Sequence, residues 1–334
     1  MKLSILDQSP ISSGKRAQDA LQASMQLAVE GEKLGYTRYW IAEHHNFSGL
    51  SCSAPEVMLS YIGANTNKIR LGAGAVLLPH YKPYRVAETY NMLATLFPDR
   101  IDLGIGRAPG GSAEASIALS GNYLENVRKV PELTEQLLHF LRNDFPEDDM
   151  FSKIQPSPVP DITPFPWILG TSQRSADLAS EYGTAYAFGH FMSEKIGHEI
   201  VASYQKTFKP SVSLKKANTI VAVSVICAET TDQAEEIALP GILWKKQNVS
   251  GEGNGVPTID EAHRSFSIEE RKHFISEAKR KMIIGNPQEV QKELYRIQET
   301  YKADEIMIVT ITHSYEDRVK SYELIANHVL STTS

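Results

Sequence analysis

Short apolar runs and longer amphipathic stretches alternate along the chain. LSILD (3–7) has strand character, and the stretch after it carries apolar residues at Leu21, Met25, Ala28 and Val29, the stripe of a helix with one buried face. The unit repeats in YTRYWIAE (36–43), followed by a helix opening at Ser53-Ala54-Pro55, where serine suits the cap and proline the first turn. IRLGAGAVLL (69–78) precedes a helix from Pro83 to Phe97, and IDLGIG (101–106) precedes a glycine-rich loop and a helix from about Leu124 to Arg142. The second half continues with PWILG (166–170) and SADLASEYG, TAYAFGH (184–190) and EKIGHEIVASYQKTF, TIVAVSVICA (219–228) and a helix from Thr231, then EIMIVTI (305–311) and YEDRVKSYELIANHV.

Strands covered on both faces read as unbroken apolar runs, as IMIVTI and VAVSVIC do, so the sheet is expected to be parallel. Eight β/α units without a central break in composition favour an α/β fold closed as one (β/α)₈ TIM barrel over residues 1–334, rather than two doubly wound domains. Such barrels need roughly 250 residues, leaving about 80 for loop insertions. The expected places are 108–123, the proline-rich 144–165 and 246–282.

Composition narrows the partners. With 34 Lys and Arg against 40 Asp and Glu the net charge is −6, which gives no electrostatic case for nucleic acid and points to a small molecule or another protein. Cys52 and Cys227, the 2 cysteines, are expected to be free thiols in a reducing compartment. MKLSILDQSP reads as a strand rather than a signal region, and no apolar window is long enough for a membrane span. A soluble cytoplasmic protein is the expectation.

In a (β/α)₈ barrel the chemistry sits on loops that follow the carboxyl ends of the strands. His44 and His45 follow the second strand, His80 the third, Arg107 the fourth, Thr171 and Ser172 the fifth, His190 the sixth and His313 the eighth. Successive strand residues point to opposite faces, so at most one of His44 and His45 should line the barrel mouth unless a bulge turns both inward. IGRAPGG (105–111) places Arg107 among glycines, a planar fork suited to phosphate or carboxylate where backbone can approach closely; an ion pair with Glu114 explains the same arginine. LGTSQRSADLA (169–179) runs a strand through Gly170 into hydroxyl residues that open a helix, an anion-binding arrangement with Thr171, Ser172 and Ser175 as added donors; simple capping by Ser172 is the plainer explanation. Neither stretch is a Walker motif or a GxGxxG fingerprint. Gly72 and Gly74 interrupt a strand that should be central, which marks a bulge or the close approach of a ligand such as a flat ring across the mouth.

MKLSILDQSP, GYTRYWIAEHHN, IRLGAGAVLLPHYKPYRVAE, RIDLGIGRAPGG, LGTSQRSADLA and IGNPQEV together resemble the bacterial luciferase-like flavin monooxygenases, and within them the single-chain oxidoreductases. The resemblance runs in order from residue 1 to about 328 and is densest over 1–111. It implies a (β/α)₈ barrel that binds exchangeable reduced FMN at the strand ends and uses dioxygen on a small organic substrate, aldehyde-like in some members. A separate flavin reductase supplies the reduced FMN, and the helices around 54–66 and 83–97 pack a homodimer.

By the same resemblance His44 matches a histidine that assists the oxygen chemistry, and Arg107 a phosphate-binding arginine. Thr171, Ser172, Gln173 and Ser175 match the phosphate loop, Arg128 a second phosphate contact, and Gly74 and Ala75 a pair joined by a non-prolyl cis peptide under the flavin. The phosphate signals follow strands 4 and 5, not strands 7 and 8 as in most barrels of this type. A cysteine known beside the flavin in luciferases is Gly106 here, and the long luciferase loop has only a different counterpart around Val249 to Glu261, which argues against light emission. Segments 108–123 and 246–267 are expected to close over the site. Three alternatives remain at this level: a deazaflavin-dependent oxidoreductase, a metal-dependent hydrolase using His45, His80, His190 and His313, and a non-catalytic flavin-binding relative. The hydrolase should offer an H-x-H near the first strand, which has only Asp7, so no metal is expected.

Overall fold

The computed structural model describes residues 1–195, 197–250 and 253–330. Its strands are β1 (Leu3–Asp7), β2 (Arg38–Ile41), β3 (Arg70–Leu77), β4 (Ile101–Gly106), β5 (Phe165–Gly170), β6 (Ala185–Gly189), β7 (Thr219–Cys227), β8 (Met282–Gly285) and β9 (Glu305–Val309). All pairings between them are parallel, and the order β6-β5-β4-β3-β2-β1-β9-β7 is closed by β6 against β7. This is a closed eight-stranded parallel barrel with helices between the strands, a TIM barrel.

Each of the eight runs read from the apolar pattern is a barrel strand. β8 is an addition: it pairs only with β7, outside the closed ring. It ends the 246–282 segment, which is also more helical than an irregular insertion, with Ile259–Ser265 and Ile268–Ala278. Segment 108–123 contains the helix Ala113–Ser120, whereas 144–165 holds only the short turn Met150–Lys153. The helix expected at 124–142 is broken into Tyr123–Arg128 and Val130–Arg142. Ser53 does not cap the second helix: Ala54 stands at that position with no side-chain bond, and Pro55 opens the first turn.

Alternation along the strands separates two layers. Tyr39, Ile41, Leu103, Ile105, Ile168, Val221 and Val223 pack outward against the helices, and Leu6, Trp40, Ala42, Trp167, Ala187, Ala222, Met307 and Val309 form the cluster inside the barrel. Trp40 and Trp167 meet edge to face with ring centres 5.4 Å apart. Below them Arg38 closes the amino-terminal end, bonding Asp102 at 2.7 Å and Glu305 at 2.8 Å with all three side chains buried. Above them Ala42, Ala187 and Ala222 are small, so the inner cluster leaves a shallow floor at the carboxyl ends.

Candidate active site

The doublet after β2 divides by alternation. Trp40 and Ala42 face the lumen, so His44 continues the inward face, and Glu43 and His45 fall on the other. Glu43 is buried and ties the ends of two strands: its carboxylate accepts from the Leu77 amide at 3.1 Å, the Tyr81 hydroxyl at 2.7 Å and His45 Nε2 at 2.7 Å. His45 also donates its amide to Gly110 O at 2.7 Å. This pair holds loops together. His44 is anchored by its amide to Cys52 O at 2.9 Å, while its buried ring Nδ1 has no partner. Burial, helped by the neighbouring His45, lowers the His44 pKa to about 4, so the ring is neutral at ordinary pH.

The bulge expected at the β3 glycines is present, with the β3–β4 register shifting between Ala73 and Val76. The Gly74–Ala75 peptide is cis. A Cβ at Gly106 on the neighbouring strand would stand 2.9 Å from the Ala75 Cβ, so glycine leaves the wall beside Ala75 open by one side chain.

Arg107 follows directly. Its guanidinium makes no ion pair among the described residues, and Glu114, the expected competitor, interacts instead with Ser112 and its own backbone amide. A small, mostly apolar cavity at this rim, walled by residues such as Ile105, Val127, Ile168 and Leu178, has Arg107, Arg174 and Ser175 as its polar lining. Ser175 is buried and Ser172 caps the helix Gln173–Glu181, each hydroxyl meeting the other residue's amide. Gly170 makes room for this, since a Cβ there would lie 2.3 Å from Ser175 Oγ. The amides of Gln173 and Arg174 occupy the first two helical positions, which have no partner within a helix, so two N–H groups and the positive end of the dipole open beside a cavity that both arginines line. An anion the size of a phosphate suits that set.

Not every expected residue joins it. The Gln173 side chain donates to Asp177 Oδ1 at 2.6 Å and Ser203 Oγ at 2.8 Å, so it serves helix packing. Arg128 ends its short helix on the surface near Glu125, and Val127, not Arg128, lines the cavity. Thr171 lies between Gly170 and the cap, and its methyl would sit 3.3 Å from a Cβ on Gly189. Arg174, by contrast, stands within the same stretch and went unread; a cation beside the cap serine was the available signal.

The other mouth histidines are occupied. His80 bonds Pro109 O at 2.9 Å and stacks on Tyr123, His190 bonds the Tyr301 hydroxyl at 2.8 Å, and His313 bonds Val256 O at 2.9 Å. Among the described residues no His, Cys, Asp and Glu side chains gather as a metal site. Two segments are bonded to the loops that follow the strands. Segment 108–123 is held by Gly110 and Gly111 on His45. In the segment Val249 to Glu261, of which Gly251 and Glu252 lie outside the described residues, Val256 exchanges backbone bonds with Ile11 and Ser13 at 2.8 Å. Phe47 links this side to the histidine, 5.9 Å from the His44 ring and 6.4 Å from Trp244.

The family model described as "Luciferase-like monooxygenase" matches residues 1–303. The chain is 40% identical to the Bacillus subtilis protein YwcH, covering 97% of this chain and 98% of that one. It is 36% identical to the N-acetyl-S-alkylcysteine monooxygenase of Bacillus subtilis, covering 99% of both. The crystal structure of apo-MsnO8 superposes with a TM-score of 0.87 at 32% identity, covering 98% of each chain.

Proposed function

The chain belongs to the luciferase-like monooxygenase family, and from that premise we propose that it is a flavin-dependent monooxygenase using reduced FMN and dioxygen on a small organic substrate. The reading rests on one coincidence: the strand ends of a single barrel carry a neutral, half-buried histidine with an orphaned ring nitrogen after β2, an unpaired arginine after β4 and a free helix start after β5.

The residues fit the cofactor. The phosphate would be held by Arg107, Arg174 and the amides and hydroxyls at Thr171–Ser175, and the flat ring would lie against Gly74, Ala75 and the open wall at Gly106. When bound, reduced FMN supplies the electrons that activate dioxygen, chemistry no side chain offers. His44, neutral above about pH 4, would present its unpartnered ring nitrogen as a hydrogen-bond partner that orients the reacting group, rather than hold a proton itself. Segments 108–123 and 253–258 exclude water from the mouth.

A reductase in trans supplies the flavin, since nothing in the residue pattern marks a nicotinamide site. Exposed Phe47 and Met192, after β2 and β6, suit a substrate with an apolar body, and the N-acetyl-S-alkylcysteine monooxygenase makes an alkyl sulfide the first compound to assay, beside an aldehyde. Val57 and Tyr61 on helix Pro55–Gly63, with Met92 and Leu96 on Pro83–Leu96, are exposed and apolar, and we assign them to a homodimer contact. No helix of the described residues is long and apolar enough to cross a membrane; we place the protein in the cytoplasm on its two free cysteines, which suit a reducing compartment.

The deciding experiment is anaerobic titration with reduced FMN followed by an oxygen pulse, with substrate present and absent. Oxygen uptake that yields an oxygenated product only with FMN supports the reading. Binding without turnover, or hydride transfer to a deazaflavin without oxygen uptake, rejects it.

A further inference from the structure

Along one edge of β7 the neighbouring strand changes. Ser224 pairs with both β8 and β9, which puts β8 on the edge opposite β9, the edge that β6 occupies up to Ala222. β6 turns away at His190 and β8 arrives at Met282, leaving Val223 without a partner on that edge. A cavity of about 320 Å³ opens at this hand-over, and the helix Pro287–Tyr301 forms its far wall. Its volume is within the range of small-ligand sites.

The lining is apolar at the base and cationic at the rim. Val223, Ile283 and Ile297 supply apolar surface on the side of the helix, while Met282 and Ile284 pack mainly on the other face of β8. Lys292 and Arg296 stand four residues apart and so share one helix face. Lys292 has no ion pair among the described residues. Arg296 meets Glu293 through Nε at 2.7 Å, leaving its terminal nitrogens without an acid partner. The remaining rim cations, Lys279, Arg280 and Lys281, pair with Glu235, Glu277 and Glu194, acids that do not line the cavity. Glu289 is turned to the helix start, accepting from the Thr231 hydroxyl at 2.7 Å and the Asn286 amide at 3.1 Å. His190 is engaged by the Tyr301 hydroxyl at 2.8 Å, and burial and the nearby Arg296 lower its pKa. A cavity with two adjacent cations and an apolar base is notable on a chain of net charge −6.

We propose that this cavity is a second ligand site, taking a small organic anion whose charged group meets Lys292 and Arg296 and whose apolar body lies on Val223, Ile283 and Ile297. The site needs neither flavin nor His44, so it stands or falls apart from the function assigned to the mouth.

The probe is 8-anilinonaphthalene-1-sulfonate, an apolar anion whose emission rises on leaving water, titrated into the full chain. N-phenyl-1-naphthylamine, the same rings without the sulfonate, is the neutral control. Saturable binding is expected, with Kd raised at least about tenfold in the double variant K292E/R296E and no change for the neutral probe. Lys292→Ala, milder to the fold, should weaken the sulfonate several-fold, and FMN titration should be unaltered in both variants. Sulfonate binding that survives K292E/R296E, falls equally for both probes, or is displaced by FMN would place the anion elsewhere and overturn the proposal.

Discussion

Replacing Arg107 by alanine tests the phosphate end of the mouth without disturbing the barrel. The side chain is exposed and carries no ion pair, and its backbone carbonyl, which accepts from the Tyr123 hydroxyl at 2.6 Å, is kept. No buried group loses a partner, so folding stability should move by no more than about 0.5 kcal/mol. A hydrogen bond to a charged group contributes about 1.5–3 kcal/mol, which raises the Kd for FMN about 10- to 150-fold. Exposure puts the effect under salt control, so the penalty should shrink as the Debye length drops from about 30 Å at 0.01 M salt to about 8 Å at 0.15 M. Riboflavin, which has no phosphate, separates this contact from ring binding: its affinity should be unchanged in Arg107→Ala. Fluorescence titration of both flavins against wild type, Arg107→Ala, Arg174→Ala and Gln173→Ala supplies the comparison. Arg174→Ala should weaken FMN in the same direction, and Gln173→Ala should not, because its amide is engaged by Asp177 and Ser203. Equal loss of FMN and riboflavin in Arg107→Ala, or no loss of either, would refute the phosphate assignment.

Three further outcomes follow from the geometry. The His44 pKa is lowered from 6.5 to about 4, so above pH 6.5 the ring is neutral folded or unfolded and contributes nothing, while below it the unfolded chain takes a proton the folded site refuses. Stability should therefore fall between pH 6.5 and 4, and His44→Gln should remove that part of the acid dependence; urea unfolding at pH 7 and 5 that gives the same difference for both proteins counts against a buried neutral ring. Arg38→Met strips the guanidinium from buried Asp102 and Glu305 and should cost about 3–5 kcal/mol in denaturant unfolding, although Asp102 keeps Arg70 at 2.9 Å; a cost under about 1 kcal/mol would show that water reaches the barrel base. Leu96→Arg puts a charge in the apolar patch with Val57, Tyr61 and Met92, and sedimentation should report monomer where the parent is a dimer; an unchanged assembly moves the contact elsewhere.

The barrel itself was legible because parallel strands covered on both faces leave long apolar runs, and helices of one buried face separate them. That His44 and His45 part company was legible for the same kind of reason, since strand alternation is a property of the chain; which of the two continues the inner face of Trp40 and Ala42 was decided by the packing inside the barrel. The bulge was written in Gly72 and Gly74, where a side chain would strike Trp40 or Leu6 at under 3 Å. β8 was not legible, since MIIG is four residues within a strongly charged, helical stretch and is a strand only because β7 has a free edge there.

Local pattern thus determined which residues lie on which face and at which end of which strand, because period and turn chemistry act over a few neighbours. It did not determine which way side chains at a helix start turn: Gln173 goes outward to Ser203 on a helix thirty residues on, leaving Arg174 beside Arg107. Nor did it determine the cavity at Val223, where β6, β8 and the helix Pro287–Tyr301 converge from positions about a hundred residues apart. Those placements depend on closure of the barrel and on packing of loops against each other, contacts for which the one-dimensional pattern carries no period.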